Sequence, residues 1–405
     1  MKRLGLAVML VVAISSPAWT ARKMTVQELK EVLISQQQAR KSDQDVATRL
    51  KEIELSEELT VGAMNSLLDH VPGPLSTEQI YVLEARSADL APPASDLPAA
   101  PAPDADGQRL ILAKAERYVA STYRQLPILT ATRTTLRFQD NVETVAASSG
   151  IAGSAKEVDI SSGLSNPASF VHYINSSEAT VVSEHGAEKL PPEKDKTRWG
   201  ANKMIALVEP APSLGVIFPE AQAAGSIQWL RWELVNGKQA AVYSFAVPRT
   251  KSGLVVSVCC FPKIDQAGIA RFYTPLSASS IAGDEAAGGG AGGVVGNLQT
   301  TTDWHDYKAI VPYHGELFID PDSGIVVRMI TEAELKPSEV VRRVDTRIDY
   351  GPVNAGARML VAPVKTFVNT EVVPNGDSGA GRYSTRRTLF TSEYKDYRLG
   401  GGPRR

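Results

Sequence analysis

The chain has 405 residues, of which 43% are hydrophobic and 22% are charged, so its composition is that of an ordinary globular protein with room for two or three domains. The formal net charge of -2 leaves no excess of Lys or Arg to neutralise phosphates, and nucleic-acid binding is not indicated. The only two cysteines are Cys259 and Cys260. Because neighbouring residues on a strand point to opposite faces, this pair excludes a disulfide framework.

The N-terminus has the three parts of a secretory signal peptide. Lys2 and Arg3 precede an apolar run, Leu4 to Ile14, and small residues follow up to Ala21. This run is short for a bilayer span, and no later stretch of about 18 uncharged apolar residues occurs. We therefore predict that residues 1–21 are a signal peptide, and that the chain is exported to the periplasm or the extracellular space without a stable membrane span. An uncleaved N-terminal anchor is the alternative.

Short helices separated by turn residues are predicted over residues 24–90. Thr25 and Glu28 have the spacing of a capping box, and apolar residues follow them at helical spacing. Ser42 and Ser56 stand where further helices would begin. These patterns predict a small all-α module, a kind of unit that more often binds partners than performs chemistry. Residues 91–107, which contain five prolines, are predicted to be an extended linker.

The rest of the chain, residues 108–399, is predicted to be one antiparallel sheet domain that begins with a helix and carries a Gly-rich insertion at residues 277–296. The clearest hairpin surrounds Asn236-Gly237, a dipeptide favoured in two-residue turns. Four further strand patterns between Tyr313 and Val372 predict a meander. In the third of them apolar residues alternate with four charged ones, Arg343, Asp345, Arg347 and Asp349. We therefore expect a sheet with one apolar face and one charged face in solvent.

Four aromatic side chains of the Asn236-Gly237 hairpin are the candidate ligand-binding residues: Trp229, Trp232, Tyr243 and Phe245. They have two interpretations. They line a cavity for an apolar ligand, or they form the hydrophobic core of the sheet, which is the commoner role of such residues.

His305 and His314, with carboxylates near them in sequence, are the candidates for hydrolytic chemistry. Imidazole and carboxylate groups together suit Zn or Fe, but no two of the five His residues have the spacing that places two ligands on one helical face. The sequence therefore indicates no catalytic residues, no metal site and no cofactor. A hydrolase would require His305 or His314 to meet Asp or Glu in a cleft.

The segment from Gly315 to Gly324 and the strand from Trp229 to Glu233 are similar to sequences in a group of uncharacterised secreted bacterial proteins. The Gly315–Gly324 hairpin, followed by charged strands, also resembles the outer-membrane lipoprotein carrier and its relatives. This resemblance extends over about residues 108–397 and identifies no catalytic residues. It implies a strongly curved antiparallel sheet, closed by helices, whose concave face holds acyl chains or other apolar ligands.

The sequence thus predicts an α+β protein: a curved, half-barrel-like antiparallel sheet with a packed helix, plus a small N-terminal all-α module. The leading hypothesis for its function is a non-enzymatic exported protein that binds an apolar or lipid-like ligand on the sheet. One alternative is an interaction module whose N-terminal helices bind an envelope protein. The other alternative is a hydrolase that uses His305 or His314.

Overall fold

The computed structural model describes residues 22–88, 90–140, 171–189, 207–208, 212–262, 304–336, 339, 341–372 and 386–400. These residues have the predicted α+β architecture, with helices at the N-terminus and a large antiparallel sheet. The helices in this part of the chain are α1 (Val26–Gln38), α2 (Asp43–Lys51), α3 (Val61–Leu68), α4 (Pro74–Ser87), α5 (Ala105–Ser121) and α6 (Leu214–Ala224). None of these six combines the length and the apolar character that a membrane-crossing helix requires.

Ten strands form one open sheet in the order β5-β4-β3-β15-β14-β13-β12-β11-β8-β7, and all neighbouring strands are antiparallel. The predicted meander is its centre, and strands β5 and β7 are its edges. The ten strands are β3 (Leu129–Asp140), β4 (Val171–Glu184), β5 (Ala187–Lys189), β7 (Gln228–Val235), β8 (Lys238–Val247), β11 (Tyr313–Ile319), β12 (Val326–Ala333), β13 (Val341–Ala355), β14 (Arg358–Val372) and β15 (Arg386–Leu399). A separate three-stranded sheet consists of β6 (Leu207–Val208), β9 (Val255–Pro262) and β10 (Trp304–Ile310).

Helices α1 to α4 form a helical module with a hydrophobic core of its own. Thr25 and Glu28 make the predicted capping box at the start of α1, and Ser42 caps α2. Helix α3 begins after Thr60, not after Ser56. The module also contains a parallel two-stranded ribbon, in which β1 (Arg22–Met24) pairs with β2 (Ile53–Leu55). Its core residues include Leu29, Leu33, Leu50, Leu67, Ile80 and Leu83.

Helices α5 and α6 cover the apolar face of the sheet over its central strands and those near the β7 edge. Ile111 and Tyr118 of α5 and Ile217 and Phe218 of α6 pack in one cluster with sheet residues such as Leu317. Sequence analysis predicts α5 but not α6. Pro219 lies inside α6, and a proline within a segment argues against a helix there. The N-cap at Ser213 and the left-handed Gly225 at the end of α6 are nevertheless ordinary helix signals.

The expectation that the charged face of the sheet lies in solvent is wrong, because this face is buried. Arg347 and Asp349 of β13 are each only 5% exposed, and Arg328 of the neighbouring β12 is 4% exposed. The helical module contributes to this cover: Glu58 binds Arg347, and Glu84 of α4 accepts a hydrogen bond from Lys365. Alternation along a strand shows which residues share a face, but it does not show what covers that face.

Gly324 brings the turn between β11 and β12 into direct contact with α5. The Asp320 side chain accepts hydrogen bonds from the backbone N–H groups of Asp322 and Ser323 at 2.9 and 3.1 Å, and Gly324 then takes a φ of 77°. A Cβ atom at this position would lie 2.5 Å from the backbone carbonyl carbon of Lys114. Glycine is therefore needed here both for its backbone conformation and for its lack of a side chain.

We expect Gly324→Ala to lower the free energy of unfolding by about 2–4 kcal/mol, because left-handed strain and overpacking against α5 add together. Gly356→Ala is the matched control, since Gly356 has a φ of 66° but a Cβ atom added to it would meet nothing within 4 Å. Gly356→Ala should lower the free energy of unfolding by only about 1–2 kcal/mol. Urea unfolding of both variants measures the difference. Equal losses would show that contact with α5 does not constrain position 324.

Candidate functional site

An open cleft of about 600 Å³ lies between the helical module and the turn that joins β7 to β8. The first turns of α1 and α3 form its module side, and residues 93–96 of the linker form a further wall. Arg328 of β12 also lines it. Ligand sites usually occupy about 300–1,000 Å³ and are common where two parts of a protein meet. The volume of this cleft lies within the range of known ligand sites, and its position between the module and the sheet is one where such sites are common.

Capping residues fix the module side of the cleft. Thr25 accepts a hydrogen bond from the backbone N–H of Glu28, and Thr60 accepts one from that of Ala63 at 3.4 Å. Gly62 lies in the first turn of α3, and a Cβ atom added to it would meet nothing within 4 Å. The cleft is thus open in front of Gly62, where a larger side chain would project into free space.

The sheet side of the cleft is the predicted hairpin turn. Asn236 and Gly237 have φ values of 51° and 77°, so both central residues are left-handed, as a type I′ turn requires. Leu234, at the end of β7, adds an apolar contact surface beside them. The Asn-Gly pair favours this turn conformation.

Besides Arg328, three ionisable side chains line the cleft: Lys30, Glu57 and Asp96. Glu57 accepts a hydrogen bond from the backbone N–H of Val26 at 2.8 Å and so joins the loop before α3 to the start of α1. Burial raises the pKa of the Asp96 carboxyl, and the hydrogen bond from Ser95 only partly offsets this. The lining therefore carries both signs of charge and has no strong preference for one.

A buried network of ion pairs adjoins the Arg328 side of the cleft. Arg328 Nε donates to Asp349 Oδ1 at 2.7 Å, and its Nη1 lies 3.5 Å from Glu58 and 3.7 Å from Glu233. Arg347 pairs with both Glu58 and Asp349. Glu58 precedes α3, whereas its partners lie on β12 and β13. The network consequently joins the helical module to the sheet.

The network continues to the edge strand β7. Arg231 donates two hydrogen bonds to the Glu316 carboxylate, at 2.9 and 2.8 Å, and two more to Glu233 Oε2. The guanidinium groups of Arg231 and Arg328 stand 5.8 and 5.4 Å from the centre of the Phe318 ring. Such cation–π contacts are strongest where water is excluded.

Burial and ion pairing shift the pKa values of the network in opposite directions. Burial alone would raise the pKa of Asp349, but the Arg328 and Arg347 guanidinium groups outweigh it and hold that pKa well below its usual range. Burial raises the pKa of Glu233, and Arg231 only partly offsets this. The network is thus anchored by Asp349, which stays ionised, and Glu233 is its more readily protonated member.

A second contact between the module and the sheet is centred on α4. Lys365 Nζ donates to Glu84 Oε1 at 2.6 Å, while burial raises the pKa of Glu84 more than Lys365 lowers it. Beside this pair, Val82 and Ala85 of α4 pack against Phe138 and Leu389 of the sheet in a small apolar cluster. The module is therefore held at two places, by ion pairs at both and by apolar packing at one.

The four predicted ligand-binding residues lie together near the β7 edge. Tyr243 and Phe245 are 1% and 3% exposed and belong to the core beneath α5 and α6, and the Tyr243 hydroxyl donates to the carbonyl of Gln108. Trp229 and Trp232 are only half-buried. The apolar-ligand hypothesis for these residues stays a prediction, and it would require the helices that cover Tyr243 and Phe245 to move away from them.

The two candidate hydrolase residues lie in different sheets, His305 on β10 and His314 on β11. The side chain of His305 lies outside the described residues. His314 is half exposed, with its ring nitrogens 3.4 Å from Glu332 and 3.3 Å from Glu334. The described residues contain no group of three or more His, Cys, Asp or Glu side chains arranged to hold a metal ion.

Sequence analysis misses the cleft and the residues that join its two sides. Glu58 and Arg347 are 289 positions apart, and no local pattern links them. The one available signal is the row of charges on β13, which is unusual for a strand at the centre of a sheet. Comparison of the chain with protein-family models, with curated proteins and with solved structures finds no match.

Proposed function

We propose that this chain is an exported, non-enzymatic binding protein that takes its ligand in the cleft between the helical module and the β7–β8 turn. The observation that carries the proposal is the open space of about 600 Å³ whose walls come from the module, the linker and the sheet. A ligand there would contact all three and would favour the arrangement in which they are together. The export half of the proposal rests on the signal-peptide pattern of residues 1–21.

The lining of the cleft favours a short extended peptide as the ligand. The walls contain apolar side chains together with hydroxyl and amide groups, and Asn65 and Asn236 supply amides on the module side and the sheet side. An amide side chain both donates and accepts, as the peptide backbone does. No aromatic residue occurs among the described residues that line the cleft, so stacking on a ring is not a mode of recognition there.

The test fills the cleft without disturbing the fold. We expect Gly62→Trp to weaken binding of fluorescein-labelled, end-blocked tetrapeptide pools by at least about tenfold, because the indole ring would occupy the space in front of Gly62. Fluorescence polarisation with the full chain measures this. Leu110→Trp is the control, since Leu110 is 58% exposed on α5 and lies outside the cleft.

Two outcomes would contradict the proposal. In the first, no pool binds the unmodified chain saturably. In the second, a pool binds equally well to the Gly62→Trp variant, which would place the binding site elsewhere on the molecule. A urea unfolding curve for each variant confirms that the fold is intact.

The three hypotheses from the sequence stay predictions: a lipid-like ligand on the sheet, an envelope protein bound by the N-terminal helices, and a hydrolase. A lipid-like ligand is favoured by the aromatic character of the face beneath α5 and by the resemblance to lipoprotein carriers. A hydrolase has less support, since His314 lies on an exposed strand position where its ion-pair partners among the described residues are Glu332 and Glu334.

A further inference from the structure

The linker passes around the β7 edge of the sheet. Its 3₁₀ turn, Ala94–Asp96, contacts β7 on the way from the helical module. Farther along, Trp232 Nε1 donates a 2.8 Å hydrogen bond to the carbonyl of Pro101. The chain then enters α5, which packs on the apolar face. The module and α5 lie on opposite faces of the sheet, and the linker between them crosses its edge.

Trp229, Trp232 and Tyr243 form an aromatic groove at this edge. The Trp229 ring centre is 4.9 Å from that of Trp232 and 5.6 Å from that of Tyr243, with interplanar angles of 74° and 84°. Both indoles are half-buried, whereas Tyr243 is buried. Among the described strands β7 pairs only with β8, so this edge of the sheet has no further strand beside it.

We propose that this aromatic groove is a binding site for proline-rich extended segments, and that linker residues 98–104 occupy it in cis. These residues include three prolines, Pro98, Pro101 and Pro103. Proline rings pack on aromatic side chains, and an indole N–H is well suited to a carbonyl of a chain that lacks N–H donors of its own. The backbone at the end of the segment has this extended form, with φ -65° and ψ 173° at Asp104.

Few hydrogen bonds hold the segment in place. Within the described part of the chain, residues 98–103 make no backbone–backbone hydrogen bond. They are held instead by side chains, through the hydrogen bond from Trp232 to Pro101 and one from Gln108 Nε2 to the carbonyl of Pro103 at 2.8 Å. A proline-rich partner can therefore compete for the groove, although it must overcome the high effective concentration of the tethered linker.

The experiment uses the full chain and a fluorescein-labelled peptide of residues 96–106. We expect weak binding to the unmodified chain, and at least about tenfold tighter binding when Pro98, Pro101 and Pro103 are all replaced by Gly, because the cis segment then loses its preference for the extended form. Adding Trp232→Phe to the linker variant should weaken that binding by about fivefold, since Phe keeps an aromatic ring at this position but has no N–H donor. Fluorescence polarisation measures both effects.

A peptide with Ala in place of the three prolines is the matched control for the probe. Equal binding of the two peptides would overturn the proposal, as would unchanged affinity in the linker variant or in the Trp232→Phe variant. Far-ultraviolet circular dichroism of each variant establishes that it is folded. Because the cleft peptides are tested with Gly62→Trp and this peptide with Trp232→Phe, the two proposals can fail independently.

Discussion

Arg347→Met is expected to lower the free energy of unfolding by about 3–5 kcal/mol, the typical cost of removing one partner from a buried ion pair. Arg347 is 5% exposed and pairs with Glu58 and Asp349. Without it, Asp349 keeps Arg328 at 2.7 Å, but Glu58 retains only a more distant guanidinium at 3.5 Å. The change therefore leaves a buried carboxylate poorly compensated, and Met replaces only the hydrocarbon part of the side chain.

Urea unfolding at neutral pH measures this loss. Arg358→Met is the matched control, because Arg358 is exposed at the start of β14, and its effect should stay within about 0.5 kcal/mol. Adding Glu58→Gln to Arg347→Met should recover about 1 kcal/mol or more, since the uncompensated charge is then removed. A loss below about 1 kcal/mol for Arg347→Met would mean that the network does not hold the module on the sheet.

The second large effect is expected at alkaline pH, where the protein should unfold in one cooperative step between about pH 10 and 12. Burial raises the pKa of eight tyrosines, and those of Tyr243 and Tyr394 rise to about 12. The eight are Tyr118, Tyr123, Tyr243, Tyr307, Tyr313, Tyr350, Tyr394 and Tyr397.

The sign follows from the folded pKa values, which lie above the unfolded value of 10.0. The folded state keeps these phenols neutral, so their contribution to stability is complete below that pH and is lost as the pH rises toward the folded values. A shift of two pKa units corresponds to about 3 kcal/mol for one group. A few such groups together match the whole stability of a typical domain, and the sheet should unfold before they have all ionised.

Tyrosinate absorbance and far-ultraviolet circular dichroism, followed during the same alkaline titration, should change together. In concentrated urea the tyrosines should instead ionise gradually around pH 10, as exposed phenols do. Should most tyrosines of the folded protein titrate near pH 10 with unchanged circular dichroism, their burial in the apolar clusters would be disproved.

The local features of this fold can be predicted from the sequence because each depends on residues that are close together in the chain. The capping box of Thr25 and Glu28, the left-handed turn at Asn236-Gly237 and the meander from β11 to β14 are of this kind. Helix α6 could not be predicted in the same way, because Pro219 interrupts the region where a helix would otherwise be recognised. It is stabilised by packing on the sheet, which is a non-local effect.

The candidate site, in contrast, depends on residues that are far apart in the chain. The aromatic residues of the β7–β8 hairpin can be identified from the sequence, but the separation of half-buried Trp229 and Trp232 from buried Tyr243 and Phe245 depends on where α5 packs. The cleft and its buried neighbour Arg328 depend on how the helical module docks. No periodic pattern in the sequence shows where α5 or the helical module packs on the sheet.

The sequence by itself determined the α+β fold class, the alternation of apolar and charged residues on the central strands, and the positions of the tight turns. Only the tertiary structure decided that the charged face is buried, that Glu58 and Glu84 reach Arg347 and Lys365 across it, and that the linker crosses the β7 edge. The physical reason is that strand periodicity assigns a side chain to one of two faces, whereas its desolvation is set by whatever distant segment packs on that face.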